Sequence, residues 1–180
     1  MGSQNNISHK TLFLGTLSII FLMLLSISPG RTSEGTNDSE MTMLAMRDGV
    51  RLATFIYRTE QQTPNATILI RTTQNVEAYR SEISYFLKKQ YHVVLQNTRG
   101  MQTSEGTDSL FASDGWQDNQ DGFDTVAWIA NQSWCDGKIG TFGRGLDGFL
   151  QVLLAGTQPP DLSTQYIVAA PFSLYEHFAF

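Results

Sequence analysis

The residues with the clearest chemical signature lie between Lys138 and Phe149, in the run KIGTFGRGLDGF. Lys138–Phe142 predicts a short strand, a glycine-rich turn follows, and the apolar run Phe149–Ala155 predicts a helix. A strand, a sharp turn and a helix in this order hold the nucleophilic serine of G-x-S-x-G motifs. Two residues after Gly143 this chain has Gly145, which has no side chain and cannot form an acyl intermediate. The sequence therefore predicts the frame of a nucleophilic site without its nucleophile.

The other side chains that could do chemistry are less promising. Asp147 is the one side chain of this turn that could attack carbon, but it does not lie at the predicted apex. We expect it to be a solvated aspartate in the first turn of the helix, stabilised by the helix dipole. Of the three histidines, His9 precedes an apolar run, His92 opens a strand at the end away from the predicted site, and His177 is near the C-terminus. We expect none of them to be a catalytic base.

Cofactor chemistry is also disfavoured. Gly143–Gly148 has the G-x-G-x-x-G spacing of a dinucleotide-binding turn, and it follows a strand and precedes a helix. No acidic residue follows at a strand end about 20 residues later, as such a site requires. The histidines are too widely spaced to predict a metal site. We therefore predict no cofactor and no metal.

These residues must be positioned by alternating strands and helices. The predicted elements are a hairpin around Asp48-Gly49 with strands Met41–Met46 and Arg51–Tyr57, strands Ala66–Arg71, Tyr91–Gln96, Lys138–Phe142 and Gln165–Ala170, and helices Val76–Gln90, Gln120–Ala130 and one that ends near Gly156. A long polar loop is predicted from Asn97 to Gly115, a length that is typical of functional loops. The alternation predicts an α/β fold, a mostly parallel sheet with helices on both faces.

Composition agrees with one globular domain. The chain has 180 residues, of which 41% are apolar and 16% charged, and a formal charge of −5. The negative charge and the absence of a lysine or arginine cluster argue against nucleic-acid binding.

The N-terminal region has a different composition. Thr11–Ser28 is almost wholly apolar, which fits a cleaved signal peptide or an uncleaved signal-anchor, with a buried core helix as a third alternative. We assign residues 1–30 to this signal segment, 31–40 to a flexible linker and 41–180 to the folded domain. Either favoured alternative places the domain outside the cytosol, secreted or anchored to a membrane through residues 11–28.

Two further features bear on that compartment. Three N-glycosylation triplets follow the apolar run, at Asn37, Asn65 and Asn131. Cys135 is the single cysteine, so no disulfide can form within the chain. We expect a buried thiol beside Trp134, with a bridge to another chain as the alternative.

From about Met46 onward, several segments in the same order resemble the Xaa-Pro dipeptidyl-peptidase and cocaine-esterase type of serine hydrolase. The segments that carry the resemblance are Met46–Thr54, Ile68–Thr72, Val93–Gly100 with Ser104–Gly106, and Asp121–Ile129 with Trp134-Cys135 and Gly137–Gly140. The last block is the most specific, because it combines an Asp-Gly-Phe helix start, a tryptophan and a Trp-Cys pair. The resemblance implies an α/β-hydrolase fold, Asp121 and Asp124 as structural helix-start residues, Arg99 as an ion-pair or turn residue, and acyl esters or Xaa-Pro peptides as substrates.

The chain departs from this family at the positions that matter for catalysis. Gly145 stands where the family has the nucleophilic serine, and Leu146 replaces the tyrosine that follows it. Gln74 stands at the position of the tyrosine that donates to the oxyanion; the second donor would be the backbone N–H of Leu146. The triad aspartate and histidine should follow the last strand seen here. We therefore expect the N-terminal half of a hydrolase domain, with an exposed sheet edge open to self-association or to a partner.

Two classes of function remain. The first is an inactive member of the family, either a pseudoenzyme or a truncated chain that is at most a binding module. The second is an active esterase or dipeptidyl-peptidase whose missing groups come from a longer chain or a partner.

Overall fold

A six-stranded mixed sheet forms the centre of the computed structural model, which describes residues 39–61, 63–108, 111–115 and 118–171. The strands are β1 (Glu40–Ala45), β2 (Arg51–Tyr57), β3 (Asn65–Thr72), β4 (His92–Asn97), β5 (Cys135–Arg144) and β6 (Leu162–Val168), in the spatial order β1-β2-β4-β3-β5-β6. The helices are α1 (Arg80–Lys88), α2 (Asp121–Ala130) and α3 (Leu146–Gly156). The predicted α/β class is confirmed, because β3, β4, β5 and β6 pair in parallel.

The N-terminal hairpin supplies the antiparallel edge of the sheet. β1 pairs with β2 in register from Glu40↔Ile56 to Ala45↔Arg51, and β2 runs antiparallel to β4. Gly49 has a φ of +85°, a conformation that favours glycine in this turn. The hairpin predicted around Asp48-Gly49 is confirmed, and the first strand starts at Glu40, within the segment predicted to be linker.

Apolar side chains cover the sheet on both faces. On one face α1 contributes Ile83 to a cluster with residues of β3 and β4, among them Ile70 and Leu95. On the other face α2 and α3 pack Ile129 and Leu154 against the middle of the sheet. Because alternate residues of a strand point to opposite faces, each central strand takes part in both clusters. This packing sets the positions at which the strands end, and so positions the glycine-rich turn after β5.

The first helix is shorter than the sequence predicts. A 3-10 turn, Val76–Tyr79, precedes α1 and is capped by Asn75, whose side chain accepts a hydrogen bond from the Ala78 N–H at 3.3 Å. Gln90 has a φ of +64°, so the helix cannot continue to the predicted end.

The long loop after β4 is held by ion pairs to its neighbours. Arg99 donates to Asp48 at 2.6 Å and to Asp121 at 2.7 Å, and Arg47 pairs with Asp124 at 2.6 Å. These contacts confirm Arg99 as an ion-pair residue. They show that Asp121 ties the start of α2 to the loop after β4, and that Asp124 ties it to the hairpin.

The last strand starts three residues earlier and ends two residues earlier than predicted. β6 spans Leu162–Val168 instead of Gln165–Ala170, and Ala169 has a φ of +51° that ends it. β6 pairs with β5 on one side and forms the other edge of the sheet within the described residues.

Several predictions lie outside the described residues, namely the signal segment with His9, most of the linker, Asn37 and His177. Within the described ranges, no helix is both long enough and apolar enough to cross a membrane.

Candidate active site

The turn between β5 and α3 has the backbone of a nucleophile elbow. Gly145 separates the two elements. Its backbone angles are φ +58° and ψ −126°, a conformation that residues other than glycine rarely adopt. Its N–H donates to the Val168 carbonyl at 2.9 Å, and its own carbonyl accepts from the Phe149 N–H at 3.1 Å. The turn is therefore anchored to β6 on one side and to the helix on the other.

The flanking glycines are required by close packing, whereas the apex is open. A Cβ on Gly143 would lie 2.5 Å from the carbonyl oxygen of Asp147, and one on Gly148 would lie 2.9 Å from Cβ of Ala170. A Cβ on Gly145 would meet nothing within 4 Å. The local geometry thus retains the close approach of helix and strand, and it leaves room at the apex for a side chain that this sequence does not supply.

Asp147 is buried, which shows that the prediction of a solvated aspartate is wrong. Its side chain accepts hydrogen bonds from Oγ1 of Thr72 at 2.5 Å, from Oη of Tyr79 at 2.7 Å and from the backbone N–H of Thr73 at 3.2 Å. The residue is 1% exposed. Hydrogen bonds of this number satisfy a carboxylate that has been removed from water. The error came from assigning the first-turn position to solvent, because the loop after β3 covers it.

Tyr79 links the carboxylate of Asp147 to the end of β5. Its ring is fully buried and meets Phe142 edge to face at a centroid distance of 6.2 Å. Burial, and then the negative charge of Asp147, raise the pKa of the phenol well above its usual range, so Tyr79 remains a proton donor. The guanidinium of Arg144 lies 4.8 Å from the ring centroid and forms an ion pair with Glu82 of α1. The last residue of β5 is thereby tied to α1.

The two predicted oxyanion donors both lie at this turn, but only one of them already has a hydrogen-bond acceptor there. Nε2 of Gln74 lies 3.3 Å from Oδ2 of Asp147, so the amide is directed to the carboxylate next to the elbow. Leu146 is the first residue of α3, where helix geometry leaves the backbone N–H without an intrahelical acceptor. The loop of Gln74 is held by Asn97, whose Nδ2 donates to the Gln74 carbonyl at 2.7 Å.

A buried ion pair beneath the loop was missed by the sequence analysis. Nη1 of Arg71, at the carboxyl end of β3, bonds to Asp114, and Nε of Arg71 donates to Gln96 at 2.9 Å. Both charged side chains are nearly inaccessible. Burial raises the pKa of the Asp114 carboxyl, and the guanidinium of Arg71 opposes that rise. An arginine that follows the apolar run of a buried strand was the available signal, but nothing in the sequence pointed to Asp114 as its partner.

His92 lies at the opposite end of the sheet from the elbow. It aligns with Thr67, which aligns in turn with Ile139, six residues before Gly145. At 3.3 Å per residue this separation is about 20 Å, which agrees with the prediction that His92 is no catalytic base. Its Nδ1 accepts from the Thr59 N–H at 3.1 Å, and burial lowers its pKa, helped by the charge of Arg58. In the described part of the chain, no three His, Cys, Asp or Glu side chains cluster as a metal site would require.

The remaining sequence predictions fall on the periphery. Cys135 is free and buried, and Trp134 packs against its cluster, as expected. Asn131 is exposed at the end of α2, whereas Asn65 is half-buried in β3 and its Nδ2 donates to Oγ1 of Thr59 at 3.3 Å.

Comparison with known proteins gives a consistent family. The model of the family described as X-Pro dipeptidyl-peptidase (S15 family) matches residues 48–180. The cocaine esterase of Rhodococcus sp. (strain MB1 Bresler) is 37% identical over 115 residues, which are 61% of this chain and 19% of the esterase.

Solved structures agree with the fold. An α-amino acid ester hydrolase superposes with a TM-score of 0.63 at 26% identity, over 78% of this chain and 28% of that one. An aminopeptidase from a marine sediment Thaumarchaeota archaeon gives 0.62 at 21% identity, over 71% of this chain and 24% of that one, a likeness in fold alone. The chain therefore spans between 19% and 28% of the length of these relatives.

Proposed function

Because the chain belongs to the X-Pro dipeptidyl-peptidase (S15) family, we propose that it is a member that keeps the frame of the hydrolase site and has lost its activity. One observation carries this proposal: the residue at the apex of the elbow is Gly145. Acyl transfer in this geometry needs a nucleophilic side chain at that apex, such as a hydroxyl or a thiol. Loss of a triad serine lowers kcat by about 10⁶-fold, and the residual rate comes from binding and the oxyanion hole.

The positions around the apex support the same proposal. Gln74 replaces the oxyanion tyrosine that the resemblance implies, and its side chain is directed to Asp147. Among the described residues the one histidine, His92, lies about 20 Å from the elbow by the strand rise. No described imidazole is therefore placed to accept a proton at the apex.

A fluorophosphonate probe tests the proposal on the full chain. We expect no covalent labelling, while an active serine hydrolase in the same reaction is labelled. The Gly145→Ala variant is the matched control, because it cannot supply a nucleophile. Labelling of the unaltered chain that disappears when one of its serines is changed to alanine would show that the proposal is wrong.

A second candidate is an active serine hydrolase for acyl esters or Xaa-Pro peptides, with the missing groups supplied by a longer chain or a partner. The open space above Gly145 favours it, together with the retained close packing at Gly143 and Gly148. Under this alternative a partner-supplied or downstream aspartate and histidine would complete the triad.

Restoring the two altered positions in such a longer or partnered form separates the candidates. Gly145→Ser should bring back ester hydrolysis only if the rest of the triad is present. Adding Gln74→Tyr should raise kcat by about 10²–10³-fold if this position donates to the oxyanion. A folded double variant that remains inactive in that form would exclude the second candidate.

We also propose that the domain lies outside the cytosol. The apolar run Thr11–Ser28 and the glycosylation triplets downstream of it support this location. Expression in a secretory system followed by protease treatment of isolated microsomes provides the test, and degradation of the chain while the membranes are still closed would contradict export.

A further inference from the structure

The carboxylate of Asp147 belongs to the second residue after the apex of the elbow and is bonded by neutral groups. Four groups donate to it, namely Oγ1 of Thr72, Oη of Tyr79, the N–H of Thr73 and Nε2 of Gln74. No described lysine, arginine or histidine forms an ion pair with it. Its negative charge is therefore hydrogen-bonded but not neutralised, and because the residue is buried, water and salt screen that charge poorly.

The loop after β3 is folded onto this carboxylate. The backbone N–H of Gln74 donates to Oγ1 of Thr72 at 2.9 Å, and that hydroxyl donates in turn to Asp147. The donors at the carboxyl end of β3 thus converge on an anion that belongs to the chain itself. Acyl transfer at an elbow needs donors aimed at the oxygen that becomes negative. In this loop the amide side chain and the hydroxyl are already engaged by Asp147.

Positive charge near the apex is also taken up. The first N–H groups of a helix carry partial positive charge that favours an anion, and Asp147 in the first turn of α3 offsets it. The guanidinium of Arg144, the residue before the apex, lies 4.8 Å from the ring centroid of Tyr79 and pairs with Glu82. A Cβ on Gly145 would meet nothing within 4 Å. The open space at the apex therefore borders a negative charge that no described cation balances.

We propose that Asp147 sets the electrostatic character of the elbow: its carboxylate engages the donors of the loop after β3 and opposes any negative charge that forms above Gly145. The space at the apex then favours neutral or cationic groups over carboxylates and phosphates. This inference rests on the proposed loss of activity and extends it. A nucleophile restored at position 145 would still face a site that resists the build-up of charge in acyl transfer.

A thiol at the apex of the full chain measures this charge while Asp147 stays in place. Gly145→Cys is compared with Ser81→Cys, both in a Cys135→Ala background so that a single thiol reacts. Ser81 is the matched control, since it is exposed in the first turn of α1, again at a helix N-terminus. Neutral iodoacetamide and anionic iodoacetate both alkylate a thiolate with loss of iodide. We expect the iodoacetate-to-iodoacetamide rate ratio to be about ten-fold lower at position 145 than at position 81 in low salt.

An ester separates oxyanion stabilisation from the reactivity of the thiol itself. p-Nitrophenyl acetate acylates a thiolate through a tetrahedral oxyanion and releases p-nitrophenolate, whereas alkylation by iodoacetamide forms no oxyanion. In the Gly145→Cys chain, the further change Asp147→Asn should raise the ratio of the acylation rate to the alkylation rate about ten-fold. Tyr79→Phe in the same chain is the matched control. It removes one donor to Asp147 but keeps the charge, so the ratio should not rise.

Two results would overturn the proposal. The first is an iodoacetate-to-iodoacetamide ratio at position 145 that equals or exceeds the ratio at position 81, in a chain that melts cooperatively. The second is an acylation ratio that responds equally to Asp147→Asn and Tyr79→Phe, which would assign the effect to packing instead of charge. If Asp147→Asn does not fold, the alkylation comparison decides, because it retains Asp147. Fluorophosphonate labelling of the unaltered chain tests the proposed loss of activity separately, so either proposal can fail without the other.

Discussion

The phenolic oxygen of Tyr79 lies 2.7 Å from Oδ2 of Asp147, and this contact joins the turn before α1 to the first turn of α3. Oδ2 of Asp147 also accepts a hydrogen bond from Oγ1 of Thr72 at 2.5 Å. The carboxylate is therefore the point at which the loop after β3 and the helix after the elbow are held together. The loop of Gln74 and the turn at Gly145 are thus held in their relative positions by a buried carboxylate.

Removal of the tyrosine hydroxyl should destabilise the fold measurably. Tyr79→Phe deletes a hydrogen bond to a charged group, and we expect a loss of about 1.5–3 kcal/mol in the free energy of unfolding. Asp147→Asn should cost at least as much, because an amide nitrogen would face donors. In the Asp147→Asn background the further cost of Tyr79→Phe should shrink, and urea denaturation of the four chains measures this coupling. Strictly additive losses would contradict a direct interaction.

Breaking the buried ion pair between Arg71 and Asp114 should lower the free energy of unfolding further than the loss of the Tyr79 hydroxyl does. Arg71→Met leaves an uncompensated buried carboxylate and should cost about 3–5 kcal/mol. Replacing both residues, as Arg71→Met with Asp114→Leu, should recover most of that loss, since a well-packed apolar pair needs no compensation. Arg80→Met is the control, because the Arg80–Glu77 pair is exposed, and it should leave the urea midpoint unchanged. A double variant as unstable as the single one would contradict the argument.

Much of the architecture could be predicted from the sequence, because its signals are local. Turn residues at Asp48-Gly49 and the apolar runs of β3 and β4 depend on neighbours in the chain. The extent of α1 could not be predicted in this way, because the cap at Asn75 and the left-handed Gln90 act against a continuous apolar period.

In the candidate site, too, the features that depend on neighbours in the chain could be predicted, and those that depend on distant contacts could not. The elbow at Gly145 follows from the spacing of its glycines, which are neighbours in the chain. The burial of Asp147 depends on donors 68 to 75 residues away, and Arg71 meets a carboxylate 43 residues later. Contacts of that separation are set by the packing of whole elements. The sequence therefore predicts a solvated Asp147, because it does not show that the loop after β3 covers this residue.

A side chain at position 145 should find free space, but it should strain the backbone. Gly145→Ser and Gly145→Ala each place a side chain in open space at φ +58°, and we expect each to cost about 1–3 kcal/mol from backbone strain. Gly156→Ala is the control: it lies in α3 with open space around it and should stabilise the chain by about 0.5–1 kcal/mol. Thermal melts with urea titrations provide the values. A serine variant as stable as the parent chain would show that the elbow relaxes to an unstrained turn.

Glycosylation should distinguish the two triplets within the described residues. We expect a glycan on Asn131, which is exposed, and none on Asn65, whose amide already bonds Thr59 in a half-buried position. The measurement is the mass of the chain from a secretory host before and after amidase removal of glycans, in Asn131→Gln and Asn65→Gln variants. A mass loss on amidase treatment of the Asn131→Gln variant, without one in the Asn65→Gln variant, would reverse the assignment.

His92 should make the folded state sensitive to acid. Burial and then the charge of Arg58 lower its pKa in the folded state below the ordinary value of 6.5, while the carbonyl of Trp134 and the charge of Asp136 oppose them. Below pH 6.5 the unfolded chain binds a proton that the folded chain resists, so this contribution to stability is complete above that pH and is lost as pH falls. The slope from one such group is at most about 1.4 kcal/mol per pH unit. His92→Asn offers an amide oxygen to the Thr59 N–H in place of Nδ1 and does not titrate, so its urea midpoint between pH 7 and 5 should fall less than that of the parent chain. Parallel midpoints for the two chains across this range would show that His92 is protonated as readily in the folded state as in the unfolded one.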